Sequence, residues 1–358
     1  MEISHAARAD GKRDERNHRA RRRIRPRYVL TPRRSSKGQT MNTKTQCWIL
    51  RGDDPVPMPR VPVGVEYHRV YAGAPRGILR GIVAIALLVI GMIGFAVLLD
   101  AMSVIVDREL FGRSGPSTPL KQAAGALSLA LLIPYCMLLQ RVLYGVPPRS
   151  LHSVSGCFRY GVFGRALLAF GPLVLIAVAV VVVGESGSVP WATADLVAFF
   201  VIGMVLIPLA AAGEEYGLRG LMFRVLGGWA PSARSGAILG IVGTTVLFSL
   251  AHGTLDPFLL TSYLLLFSST AIVTWRTGGL EVAVVLHGVY NVAFLVLGTT
   301  LHLDIGAQLA NRGDAVGSAA NLVPSAALVV ITATVWWMTR TSGPARTPAA
   351  HPAAGPEQ

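Results

Sequence analysis

Seven residues in the second half of the chain have types and spacings that could do chemistry. Glu214, Glu215 and Arg219 stand in "EEYGLR", Phe248 and His252 in "FSLAH", and His287 and Asn291 in "HGVYN". Residues four apart share one face of a helix, so Glu215 can pair with Arg219. Phe248 with His252, and His287 with Asn291, each present one stripe to a neighbour. Glu214 is turned by about 100° from Glu215 and can point elsewhere. Taken singly, each group has a structural reading: interhelical hydrogen bonding, or an ion pair that neutralises itself. Taken together they hold a general base, an orienting group and donors for a developing oxyanion. Glu214, His252 and His287 equally make up an open zinc set with water in the fourth position. Both versions activate water, so the expected chemistry is hydrolysis.

The elements that must position these residues are apolar and long. The chain of 358 residues is 52% hydrophobic and 15% charged, with mean hydropathy +0.51; a soluble domain carries about 25% charged residues. Runs long enough to cross a ~30 Å hydrocarbon core lie near 81–103, 123–142, 166–184, 193–212, 235–252, 257–275, 279–299 and 318–339. The fold class is therefore all-α, a polytopic membrane bundle of about eight helices. Ionised groups inside such spans persist mostly when paired, facing the interior and functional. If the fourth span ended at Glu214, that residue and His252 would lie at opposite membrane faces. A helix continuing to about Leu226 and turning through "GGWAPSA" removes the conflict.

The net charge of +14 is concentrated at the start, where residues 1–40 hold thirteen Lys/Arg and four Asp/Glu. Residues 1–77 are expected to form a basic, unstructured cytoplasmic region that can touch anionic lipid, with no nucleic-acid partner. Residues 78–340 would form the bundle and 341–358 a disordered tail. Lys and Arg in the short loops place both termini in the cytoplasm, and the expected location is a bacterial cytoplasmic membrane. Cys47, Cys136 and Cys157 have no CxxC spacing, which argues against a disulfide framework or a cysteine-rich metal site.

The three motifs, read as EExxxR, FxxxH and HxxxN in that order, resemble the CPBP intramembrane proteases, also called the ABI or CAAX prenyl-protease family. The resemblance covers about 194–299. It implies that Glu214 activates water with help from His252. His287 and Asn291 would then stabilise the oxyanion or orient the water, while Glu215 and Arg219, with Phe248, give structural support. It implies a peptide or protein substrate, membrane-embedded or hydrophobic, met in the lipid bilayer. Because family members are described both with and without a metal, zinc on Glu214, His252 and His287 stays open; the spacing of Asn291 favours the metal-free form. The motif is compatible with two further readings, a non-catalytic immunity or binding protein of the same family and a proton-coupled transporter. The absence of HExxH excludes a zincin.

Overall fold

The computed structural model describes residues 48–51, 58–115, 117–184 and 189–348. The basic run 1–40, with its expected lipid contact, and residues 349–358 lie outside them. Among the described residues the chain is helical, with isolated bridges but no strand. Eight helices are long and apolar enough to span a membrane: α1 Gly77–Phe111, α2 Pro119–Tyr144, α3 Tyr160–Val182, α4 Thr193–Trp229, α5 Ala233–Ala251, α6 Pro257–Thr277, α7 Glu281–Thr300 and α8 Ala319–Met338. The protein is an integral, multi-pass membrane protein.

Helix ends carry their sequence signals. Thr118 and Asp256 cap α2 and α6, each followed by a proline whose missing N–H costs nothing there. Ser232 and Ser235 form a capping box at the start of α5. Gly278 ends α6 at φ 67°, a conformation that glycine adopts without strain.

α7 is the centre of the bundle. It packs against α3, α4 and α6, and 61% of its apolar stretch is buried, against 11% for α1. α1 therefore presents Ile78, Ile90, Val97 and Ile105 outward, where lipid tails are as apolar as these side chains. α2 lies between α1 and α4, and α8 closes the far side on α6 and α3. α2 and α4 touch at the backbone: a Cβ on Gly213 would fall 1.9 Å from the Leu129 carbonyl oxygen. Only glycine fits there, immediately before the glutamate pair.

α4 continues past the glutamates, as the depth argument requires, and runs to Trp229. At 37 residues it is roughly 55 Å long, far more than the bilayer core. The turn after Glu215 is a π-helix, Tyr216–Met222. Glu214 lies about 22 Å from the α4–α5 turn and His252 about 28 Å, so the two reach similar depth. His287 is only about 9 Å from the start of α7. The α4–α5 hairpin must therefore protrude past the α6–α7 turn.

Two stretches expected to be unstructured are packed instead. Residues 58–76 lie across the end of the bundle, with Tyr67, His68, Val70 and Tyr71 buried. The Tyr67 hydroxyl donates to the Leu151 carbonyl at 2.5 Å, and Arg69 donates to the Gly227 and Ala230 carbonyls. The start of the C-terminal tail joins this strap: Glu66 bridges to Arg346, and Val65 N–H donates to the Thr347 hydroxyl at 3.0 Å. The proline and charge content of 58–76 hid the apolar face that Tyr67, Val70 and Tyr71 supply.

Candidate active site

Glu214 and Glu215 project from α4 just before its π-helical turn, a local widening often found at functional sites. Glu215 is wholly buried, and its Oε1 meets two partners: Arg219 Nη1 at 3.2 Å and His287 Nδ1 at 2.9 Å. A carboxylate only accepts hydrogen bonds, so His287 donates from Nδ1. Its Nε2 then faces Glu214 Oε2 at 3.5 Å. The Glu214 side chain is 14% exposed and that of Glu215 is 0% exposed. The first glutamate is thus the accessible one, and the second lies wholly inside.

Glu215 thus contacts both Arg219 on its own helix and His287 on α7. Arg219 is held from the other side. Its Nη2 donates to the Phe267 carbonyl at 3.1 Å, and its guanidinium lies 5.0 Å from the ring centres of both Phe248 and Phe267. Those two rings stack at 3.9 Å. Cation–π attraction of this kind is strongest when desolvated, which accounts for Phe248 in the second motif.

His252 caps the C-terminal end of α5. Its Nδ1 donates to the Phe248 carbonyl at 2.8 Å, which leaves the neutral ring's lone pair on Nε2. Its ring lies 4.3 Å from Tyr263 and 5.0 Å from Phe248 and Phe267. Phe248 and Phe267 in turn stand 6.1 and 6.0 Å from the His287 ring. Asn291 is half-buried one turn beyond His287 on α7, on the same face. Glu214, Glu215, Arg219 and His287 are therefore in direct contact, and Phe248 joins His252 to them through ring packing.

Nothing in the sequence marks Tyr263 and Phe267. Both are ordinary members of the apolar α6 run, and no residue type marks them. Among the described residues, no three His, Cys, Asp or Glu side chains are grouped so as to hold a metal ion. Glu214, His252 and His287 do not meet as a ligand set.

Behind the site, a loop from the first half of the chain secures the α6–α7 turn. Val154 N–H donates to the Gly278 carbonyl and Leu280 N–H to that of His152. The His152 ring hydrogen-bonds the hydroxyl of Tyr216, the residue after Glu215. Arg159 holds Glu281 through two side-chain bonds, Nε to Oε1 at 2.9 Å and Nη2 to Oε2 at 2.6 Å.

This contact between glutamates of one helix and a histidine of another falls within a stretch that known proteins share. Residues 193–293 match a family model described as type II CAAX prenyl endopeptidase, Rce1-like. That stretch takes in α4, α5, α6 and the first two-thirds of α7, and so every residue of the three motifs. No curated protein and no solved structure matches the chain. The family that this model describes is one of CAAX prenyl endopeptidases, in keeping with the motif resemblance. α1 to α3, the strap and α8 lie outside it.

Proposed function

We propose that the protein is an intramembrane endopeptidase in which Glu214 is the general base, without a metal. One observation carries the reading. The accessible carboxylate of Glu214 faces an imidazole, His287, that a second carboxylate holds in one orientation. Glu214 takes a proton from water, whose oxygen attacks the scissile carbonyl carbon. The Nε2 lone pairs of His252 and His287 accept hydrogen bonds that orient the water, and the Asn291 amide donates to the tetrahedral oxyanion. On collapse the C–N bond breaks, and the proton on Glu214 passes to the leaving amine.

The substrate class follows from the site's surroundings. Apolar helices enclose the site, so it suits a hydrophobic, lipidated or membrane-embedded peptide. The meeting of 65–66 with 346–347 supports ends that share one membrane side, and loop charge favours the cytoplasm. The test is cleavage of membrane-anchored peptides by the reconstituted protein, before and after exhaustive chelation. Cleavage that survives chelation is expected. Loss of activity on zinc removal with recovery on its return would overturn the metal-free mechanism.

A further inference from the structure

Five buried polar atoms on α4 and α5 have no hydrogen-bond partner: Glu215 Oε2, Arg219 Nε and Nη1, Thr245 Oγ1 and Ser249 Oγ. Nη1 keeps only its ion-pair contact with Glu215. Their residues are deeply buried, with Glu215, Arg219 and Ser249 at 0% exposure and Thr245 at 5%. An orphaned buried polar group is expensive, so native proteins satisfy nearly all of them with protein or water. Here the orphans come from two elements that pack together, the π-helical turn of α4 and the facing side of α5. Thr245, Phe248, Ser249 and His252 form one stripe of α5, and Phe248 of that stripe lies against the Arg219 guanidinium. Donors and acceptors are both present: Arg219 can only donate, Glu215 only accepts, and each hydroxyl does either. A bound water needs two to four such partners.

We propose that this stripe is a water-binding site, in which Arg219, Glu215, Thr245 and Ser249 hold ordered water behind Glu214. That water is the store from which the hydrolytic molecule is drawn. The use of the water rests on the endopeptidase reading; its binding does not. A reaction that consumes water inside an apolar bundle needs a polar place for it to wait, and the motif residues alone do not supply one.

Thr245→Val removes the hydroxyl and keeps the shape, so it separates a wet site from a dry one. If water satisfies the hydroxyl, thermal unfolding of the purified full chain shifts to lower temperature. Peptidase kcat then falls about fivefold, with KM little changed. Ser249→Ala should act in the same direction, and Thr245→Ser should recover most of the Thr245→Val loss. Thr334→Val is the control, since the Thr334 hydroxyl bonds its own helix at the Val330 carbonyl. A Thr245→Val protein that melts at the parent temperature or above overturns the binding site. Lowered melting with unchanged kcat overturns the supply role. The melting result stands even if no peptide is cleaved, so failure of the endopeptidase reading is distinguishable from failure of the site.

Discussion

Arg159 and Glu281 meet at the covered end of the bundle, while Arg219 and Glu215 meet inside it, and the two buried pairs are bonded very differently. Glu281 receives the Arg159 Nε, Nη2 and backbone N–H, and Arg159 Nη1 donates to the Thr277 carbonyl at 3.1 Å. Every strong bond that the first pair needs is made. Glu215 and Arg219 share one contact at 3.2 Å, and Glu215 Oε2 with Arg219 Nε and Nη1 lacks a hydrogen-bond partner. A saturated pair can hold two elements together and do little else. An unsaturated one, with part of its capacity given to His287, has capacity left for chemistry. Arg159 joins the first half of the chain to α7, within the stretch that matches the family model, so the holding pair lies where the two parts must be fastened.

Glu214→Gln should give the largest effect. Loss of a general base lowers kcat by roughly a hundred- to ten-thousand-fold. The substitution removes a charge from a partly exposed side chain rather than orphaning one, so melting should be nearly unchanged. Full activity of this variant on an established substrate would refute the assignment.

The same change at the two paired glutamates should separate holding from chemistry. Glu281→Gln leaves the Arg159 charge buried and uncompensated, and should destabilise the protein by about 3 kcal/mol. Glu215→Gln should cost less, about 1–2 kcal/mol, because Glu214 also lies in the field of Arg219. Activity per folded molecule should run the other way, with Glu215→Gln well below Glu281→Gln because His287 loses its orienting carboxylate. Denaturant unfolding paired with kinetics on the folded fraction checks both. If the two variants rank alike in stability and in activity, the distinction between the pairs is lost.

What the sequence reveals about this molecule depends on where partners sit. All eight spans are legible, since hydrophobic run length alone marks a membrane helix. The continuation of α4 past Glu214 follows from the need to bring Glu214 and His252 to one depth. The motif residues stand out as polar types in apolar surroundings. The Arg159–Glu281 pair does not, because its members are 122 positions apart and neither breaks an apolar run. Phe267 and Tyr263 are silent for the opposite reason, being apolar residues among apolar neighbours. The partners of the strap, Leu151, Gly227, Ala233 and Thr347, are mostly backbone carbonyls, which no side chain announces.

The covered end also makes a pH prediction that the interior does not. His68 is fully buried in the strap, and its Nε2 donates to the Ala233 carbonyl at 2.9 Å. Burial holds its imidazole below the usual histidine range and outweighs the Ala233 bond and Glu66, which pull it up; Arg69 adds to the lowering. Burial likewise lowers His152, against Glu281 and together with Arg224. A group with a depressed folded pKa binds fewer protons folded than unfolded, so stability rises with pH between the two values. Both histidines therefore contribute stability above about pH 6.5. That contribution is lost as the pH falls through their lower folded values. Melting temperature should drop by a few degrees over that acid range. His68→Gln, which keeps a donor for Ala233 without a titrating ring, should flatten the drop, and adding His152→Gln should flatten it further. An unchanged slope in the double variant would mean that neither ring sets the acid sensitivity of the strap. The effect is the smallest of the four because each ring keeps a charged neighbour, Glu66 or Glu281, that offsets part of the burial.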